Sequence, residues 1–142
     1  MITSLSGSQY PKYVIPLIEK AKHSIKIVVF DWRWYPQDPG ASCQLFNQTL
    51  VRASRRGVKI DAIANSDNVN KILNANGINT KKLETGRLVH SKLIIIDNEI
   101  VIIGSHNFTQ SAFNSNIEMS ILITNDPNIQ TLITFFQNLW LK

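Results

Sequence analysis

Cysteine is nearly absent: Cys43 stands alone in 142 residues. The chain therefore has no disulfide framework and no cysteine-based zinc site, and we read the lone thiol as inert. No apolar run reaches the roughly 18 residues of a membrane span. The opening MITSLSGSQYPKYV has no basic stretch followed by an apolar one, so no secretory leader is visible. Repeats, low-complexity tracts and linkers are missing too, and no acidic or His/Cys cluster has metal-ligand spacing. These absences define an expectation: one domain over residues 1–142, cytoplasmic, with no cofactor, no metal and no stable membrane association. Met1 and a capped final helix lead us to expect a complete chain. Acid is also in short supply. Asp and Glu number 10 against 15 Lys and Arg, a net charge of +5, which favours a polyanionic partner such as nucleic acid or an anionic membrane surface. The basic residues cluster only in RASRRG (52–57) and TKKLETGR (80–87).

Hydrophobic spacing gives the element order. Val14, Leu17, Ile18 and Ala21 recur at helical intervals over 13–23, and SIKIVVFDW (24–32) is a β-branched strand. A second helix over 41–57 carries Leu45, Phe46, Leu50 and Ala53 on one stripe and ends at Gly57. VKIDAIA (58–64) alternates as a strand, and a short helix over 68–77 follows. LVHSKLIIID and EIVIIGS, separated by Asn98 and its neighbours, predict a hairpin. NIEMSILIT (116–124) is a further strand. Asp126 caps a last helix, with Pro127 at its first position. Helix–strand alternation followed by a run of strands predicts an α/β fold: a mixed, largely parallel sheet with helices on both faces.

The hairpin holds an anomaly. His90 and Lys92 lie in the first half of an apolar strand, on the same face and about 7 Å apart at ~3.3 Å per residue. The pattern continues as His90-x-Lys92, four residues, Asp97, six residues, then Gly104-Ser105-x-Asn107, with Glu118 beyond. At roughly one in twenty per fixed position, the six identities recur by chance in only about a few chains per million. The residue types suit metal-free cleavage of a phosphodiester. Imidazole is a nucleophile that is neutral at working pH, and cationic or hydrogen-bonding groups must hold charge on the non-bridging oxygens. A hairpin of this length returns Gly104, Ser105 and Asn107 to the His90–Lys92 end. There Gly104 permits close backbone approach, and Ser105 and Asn107 offer neutral donors. Glu118 is placed to accept a proton from the other imidazole nitrogen and fix its tautomer.

These residues resemble the HxKx4Dx6GSxN signature of the phospholipase D superfamily, with the downstream glutamate its members often show. The resemblance implies a catalytic His90 that forms a covalent phosphohistidine, Lys92 and Asn107 gripping the phosphate, Ser105 tuning the site and Glu118 orienting His90. It makes Asp97 mostly structural. Phospholipases of the family carry two copies of the motif. Here there is one, and neither His23 nor His106 has the surrounding pattern. Short single-motif members are homodimeric endonucleases that build one site from two chains. The expectation is therefore a metal-independent, nonspecific endonuclease on DNA, with RNA as a second substrate, acting as a homodimer. The rivals are a phospholipid phosphodiesterase of the same superfamily and a nucleic-acid-binding module whose site is unused.

Outside the motif, FDWRWYP (30–36) sets Arg33 between Trp32 and Trp34, and aromatic faces beside arginine suit nucleobase stacking. Packing in the core or a dimer is an equal alternative for the tryptophans. Arg33, Arg55, Arg56, Lys81 and Lys82 are candidates for tracking a phosphate backbone. His106, in the variable slot of GSxN, is expected at the rim or surface.

Overall fold

In the computed structural model, which describes residues 1–142, the elements run β1 (Ile2–Ser6), α1 (Gln9–Glu19), β2 (Ser24–Val29), α2 (Ser42–Arg55), β3 (Lys59–Ala64), α3 (Asp67–Ala75) and β4 (Asn79–Lys81). Then come β5 (Leu93–Ile96), β6 (Ile100–Gly104), α4 (Gln110–Asn114), β7 (Met119–Thr124) and α5 (Asn128–Trp140). The seven strands form one sheet in the order β1-β7-β6-β5-β2-β3-β4.

The sheet is mixed, as the alternation implies, but not largely parallel. Only β2–β3 and β3–β4 pair in parallel; the other four pairings are antiparallel. Crossover helices α2 and α3 carry the chain between parallel neighbours. From β5 onward, the tight β5–β6 turn forces reversal, because a parallel return needs a long crossover.

Helices cover both faces. Alternate β2 residues Ile25, Ile27 and Val29 join Val14 and Ile18 of α1 and Phe46 and Leu50 of α2 in the larger core. Val28, Leu93 and Ile95 meet Ile129, Ile133 and Phe136 of α5 on the other side. β5 lies mid-sheet and all four of its residues are buried, which accounts for its unbroken apolar run.

The ladder of β5 starts at Leu93, later than the sequence implied. Residues 88–92 run beside the sheet outside it, and His90 is exposed. β1, β4 and α4 were not foreseen, and α1 starts four residues earlier than the helix expected over 13–23 and ends four earlier, at Glu19. α5 begins at Asn128, with Pro127 just before its first residue instead of in it, and Asp126 Oδ1 accepts from the Asn128 backbone N–H at 2.8 Å.

The β5–β6 hairpin is closed by Asp97 and Asn98, both left-handed at φ 53° and 55°. The N–H of Glu99 donates to the Ile96 carbonyl at 3.0 Å. Asp and Asn tolerate that conformation better than other side chains. The Asp97 carboxylate faces back and accepts from the backbone N–H groups of Lys22 (3.0 Å), His23 (2.7 Å) and Ser24 (3.0 Å). It thus ties the hairpin tip to the segment between α1 and β2.

Candidate active site

Register assembles the site. Leu93 pairs with Ile103, and the Gly104 N–H donates to the Lys92 carbonyl at 3.3 Å, so the end of β6 lies beside the 90–92 segment. Gly104 is obligatory here. A Cβ on it would collide with the Ser120 backbone and the Met119 carbonyl on β7, the close approach expected at that position.

Lys92 Nζ lies 2.9 Å from Nδ1 of His90 and 3.3 Å from Nε2. The ammonium thus sits against the nitrogen-bearing edge of the imidazole. Partial burial lowers the Lys92 pKa, against the opposing pull of the Glu118 carboxylate. The Phe30 ring, centred 4.8 Å from the imidazole, flanks it.

Asn107 sits across the end of β2. Its Oδ1 accepts from the Asp31 N–H at 3.0 Å, and its NH2 group is the amide's remaining donor. The Ser105 hydroxyl donates to Glu118 Oε1 at 2.6 Å and accepts from the Met119 N–H at 3.0 Å. Glu118 immediately precedes β7 rather than lying on it, and its other oxygen accepts from Asn116 at 3.1 Å. Within one chain Glu118 therefore bonds Ser105 and Asn116, not His90. The orienting contact expected of it is absent, because the ring nitrogens face Lys92.

The outlying candidates fare differently. Trp32 is buried and cannot stack on a base. Its indole N–H donates to Asn47 at 2.8 Å and its ring packs edge-on against Phe108. Trp34 is half-buried against the larger core. Arg33 is exposed beside the site and pairs with Asp31 at 3.3 Å. Lys82 pairs with Asp67 at 3.3 Å. Lys81 lies over the Trp140 ring and donates to its carbonyl. Arg55 and Arg56 are far from His90. They end α2, which leads into Lys59, the neighbour of Ser24 at the Asp97 end of the sheet.

His106 overturns its expectation as a rim residue: it is fully buried. Nε2 lies 2.9 Å from the Gly7 carbonyl, Nδ1 lies 2.7 Å from Ser120 Oγ, and the ring stacks on Tyr10 at 4.4 Å. Burial lowers its pKa, against the pull of the Gly7 bond and Glu118. The neutral ring donates to Gly7 and accepts from Ser120. Alternation was the signal for this: if Ser105 and Asn107 face out, the residue between them faces in. Cys43 is buried as well, and burial together with Asp31 pushes its thiol up to about 12, consistent with inertness.

A cleft of about 450 Å³ opens beside His90, between the 85–91 segment and α5, with Arg87, Leu88, Phe135, Leu139 and Lys142 among its walls.

This geometry belongs to a known class of site. The chain matches the family model described as "Cardiolipin synthase, PLD-like domain" over residues 14–140, and it belongs to that family, within the phospholipase D superfamily. A protein named phospholipase D from Rickettsia prowazekii is 36% identical over 118 residues, covering 79% of this chain and 53% of that protein. A protein named mitochondrial cardiolipin hydrolase from Xenopus laevis is 27% identical, covering 95% of this chain and 62% of that protein. The chain thus spans about half to three-fifths of these relatives. The structure of the phospholipase D family member Nuc from Salmonella typhimurium superposes with a TM-score of 0.80 at 24% identity, covering 99% of this chain and 95% of that one.

Proposed function

We propose that residues 1–142 form a single metal-independent phosphodiesterase domain, acting as a cytoplasmic, nonspecific endonuclease on DNA, with RNA as a second substrate, in a homodimer. The convergence of His90, Lys92, Ser105 and Asn107 at one end of the sheet carries the reading. His90 attacks phosphorus through the unprotonated nitrogen of its neutral ring. A phosphorus–nitrogen bond forms, the phosphorus–oxygen bond to one substituent breaks, and the departing oxygen takes a proton. Lys92 leaves the imidazole for a non-bridging oxygen and, with the Asn107 amide, holds the charge that builds there. Water then cleaves the phosphohistidine and restores the imidazole. Glu118 and Ser105 act as a pair that sets the edge of the phosphate pocket.

The dimer follows from counting. Attack and protonation occur on opposite sides of phosphorus, and a single imidazole cannot serve both. The chain has one motif histidine, so a second copy supplies the acid across a two-fold axis. Nucleic acid is favoured by the +5 charge. A phospholipid substrate is the second reading. Leu88, Ile117, Met119 and Phe135, exposed at or near the site, favour it, as do the names of the phospholipase D and cardiolipin hydrolase relatives.

Incubation in excess chelator with plasmid, single-stranded DNA, RNA and phosphatidylcholine vesicles tests the proposal; nucleic acid should be cut. Cleavage of lipid alone moves the assignment to the second reading. Activity that EDTA abolishes and Mg²⁺ restores overturns the metal-free mechanism, and binding without turnover leaves a binding module. In mixtures of His90→Ala and wild-type subunits, activity should fall as the square of the wild-type fraction. A linear fall refutes the shared site.

A further inference from the structure

Positive charge gathers in two places: Arg87, Lys92 and Lys142 stand at or around the His90 cleft, and a second group lies away from it. Near His90, Arg33 and Lys82 are each held by an aspartate. At the opposite end of the sheet, Arg52, Arg55 and Arg56 line a shallow cleft of about 380 Å³ with one carboxylate, Glu19. Lys20 and Lys22 flank it where α1 gives way to β2, and all five cations are exposed. None of the five is in an ion pair. The nearby Asp97 carboxylate is turned inward onto backbone N–H groups. Arg56 fixes the arrangement, its guanidinium donating to the carbonyls of Ile18 (3.0 Å) and Ala21 (3.1 Å) and so joining the ends of α1 and α2. Helix C-termini attract cations, but one or two would serve that purpose, and here five share one surface.

We propose that this end of the molecule is a separate polyanion-binding surface that holds the phosphate backbone of a nucleic acid away from the scissile bond. The inference rests on the nuclease reading. Guanidinium forks match phosphate geometry. None of the large exposed apolar side chains belongs to this group of residues, whereas docking on a membrane surface inserts apolar groups as well as cations. β2 spans the interval from this end to the site in six residues, about 20 Å at ~3.3 Å per residue. At about 3.4 Å per nucleotide along a strand, only a substrate longer than about six nucleotides reaches both places.

The test compares a tetranucleotide with a 30-nucleotide strand, using wild type and Arg52→Gln/Arg55→Gln, and measures binding separately in the His90→Ala background. The ratio of long- to short-substrate kcat/KM should fall several-fold in the double variant, and its salt slope for 30-mer binding should drop by about one to two. Lys20→Gln/Lys22→Gln, off the helix hydrogen-bond network, should act in the same direction if the surface is real. An unchanged ratio and an unchanged slope in both variants overturn the inference even when DNA is cut normally. Loss of binding to phosphatidylserine vesicles without loss of DNA binding also overturns it, in favour of a lipid partner. If wild type cuts no nucleic acid yet the variants weaken 30-mer binding, the nuclease reading fails and the surface stands.

Discussion

Asp97 belongs to the motif yet lies at the far end of the hairpin from His90, so its replacement should cost stability and spare chemistry. In Asp97→Ala three backbone N–H groups lose their acceptor. Hydrogen bonds to a charged group contribute about 1.5–3 kcal/mol each. These three share one carboxylate at the surface, where water partly replaces it, so together they account for about 2–3 kcal/mol. Holding alanine at φ near 53° adds about 1 kcal/mol. The expected loss is about 3–4 kcal/mol for Asp97→Ala and about half that for Asp97→Asn, which keeps one acceptor and tolerates the backbone. Burial works to raise the Asp97 pKa, but the N–H bonds from Lys22, His23 and Ser24 and the charge of His23 leave it below the ordinary value. A depressed carboxylate stabilises the fold above its unfolded pKa of about 3.9, and that contribution is lost as pH falls through the folded value. Urea unfolding at pH 7 should therefore separate the parent from both variants, and the curves should converge in acid. At 20 °C, kcat per folded molecule should stay within about twofold. A stability change under about 0.5 kcal/mol refutes the structural role, and so does a fully folded Asp97→Ala with abolished kcat.

Lys92→Ala should lower kcat by on the order of 10²–10³, as loss of a transition-state charge contact does, and weaken DNA binding far less; an unchanged kcat makes Lys92 structural. Because burial lowers the Lys92 pKa, the alkaline loss of activity should begin below the ordinary lysine range, and Lys92→Arg should remove that limb. His106→Phe keeps the stack on Tyr10 but strands the Gly7 carbonyl and the Ser120 hydroxyl. It should cost about 2–3 kcal/mol in thermal or urea unfolding and reduce kcat more than it raises KM, by loosening Ser105 and Asn107; unchanged unfolding and kinetics would show that the two hydrogen bonds contribute nothing. His106 is held neutral, so wild-type stability should decline as pH falls below about 6.5, and His106→Phe should lack that decline.

What the sequence revealed and what it hid divide along physical lines. The His90–Lys92 pairing, the return of Gly104, Ser105 and Asn107, and the turn at Asp97 all follow from local rules: side-chain alternation, hairpin length and the tolerance of Asp and Asn for left-handed backbone. Elements whose stability comes from distant partners were hidden. β1 has one buried residue, Leu5, and exists because β7 pairs with it along its length. β4 is three residues long and depends on β3. The largely parallel sheet was wrong for a related reason, since strand direction is set by connections and not by the apolar content of the strands.

Side-chain partners were the least legible of all. Trp32 and Arg33 are neighbours in a loop, and both fit a nucleic-acid surface by type. Asn47, fifteen positions on from Trp32, takes the indole N–H into the core and leaves only the arginine outside. Arg55 and Arg56 look alike in sequence, yet one donates to the side chain of Asn76 at the end of α3 and the other clamps the ends of α1 and α2. The same holds for Glu118, which its motif position would pair with His90. Within a single chain Ser105 and Asn116 occupy both its oxygens, and Lys92 occupies the imidazole. Imidazole, ammonium and carboxylate are thus each held by a neighbour within the chain. On the proposed mechanism an entering phosphate competes with His90 for the Lys92 ammonium, so binding the anion and freeing the nucleophile are one event.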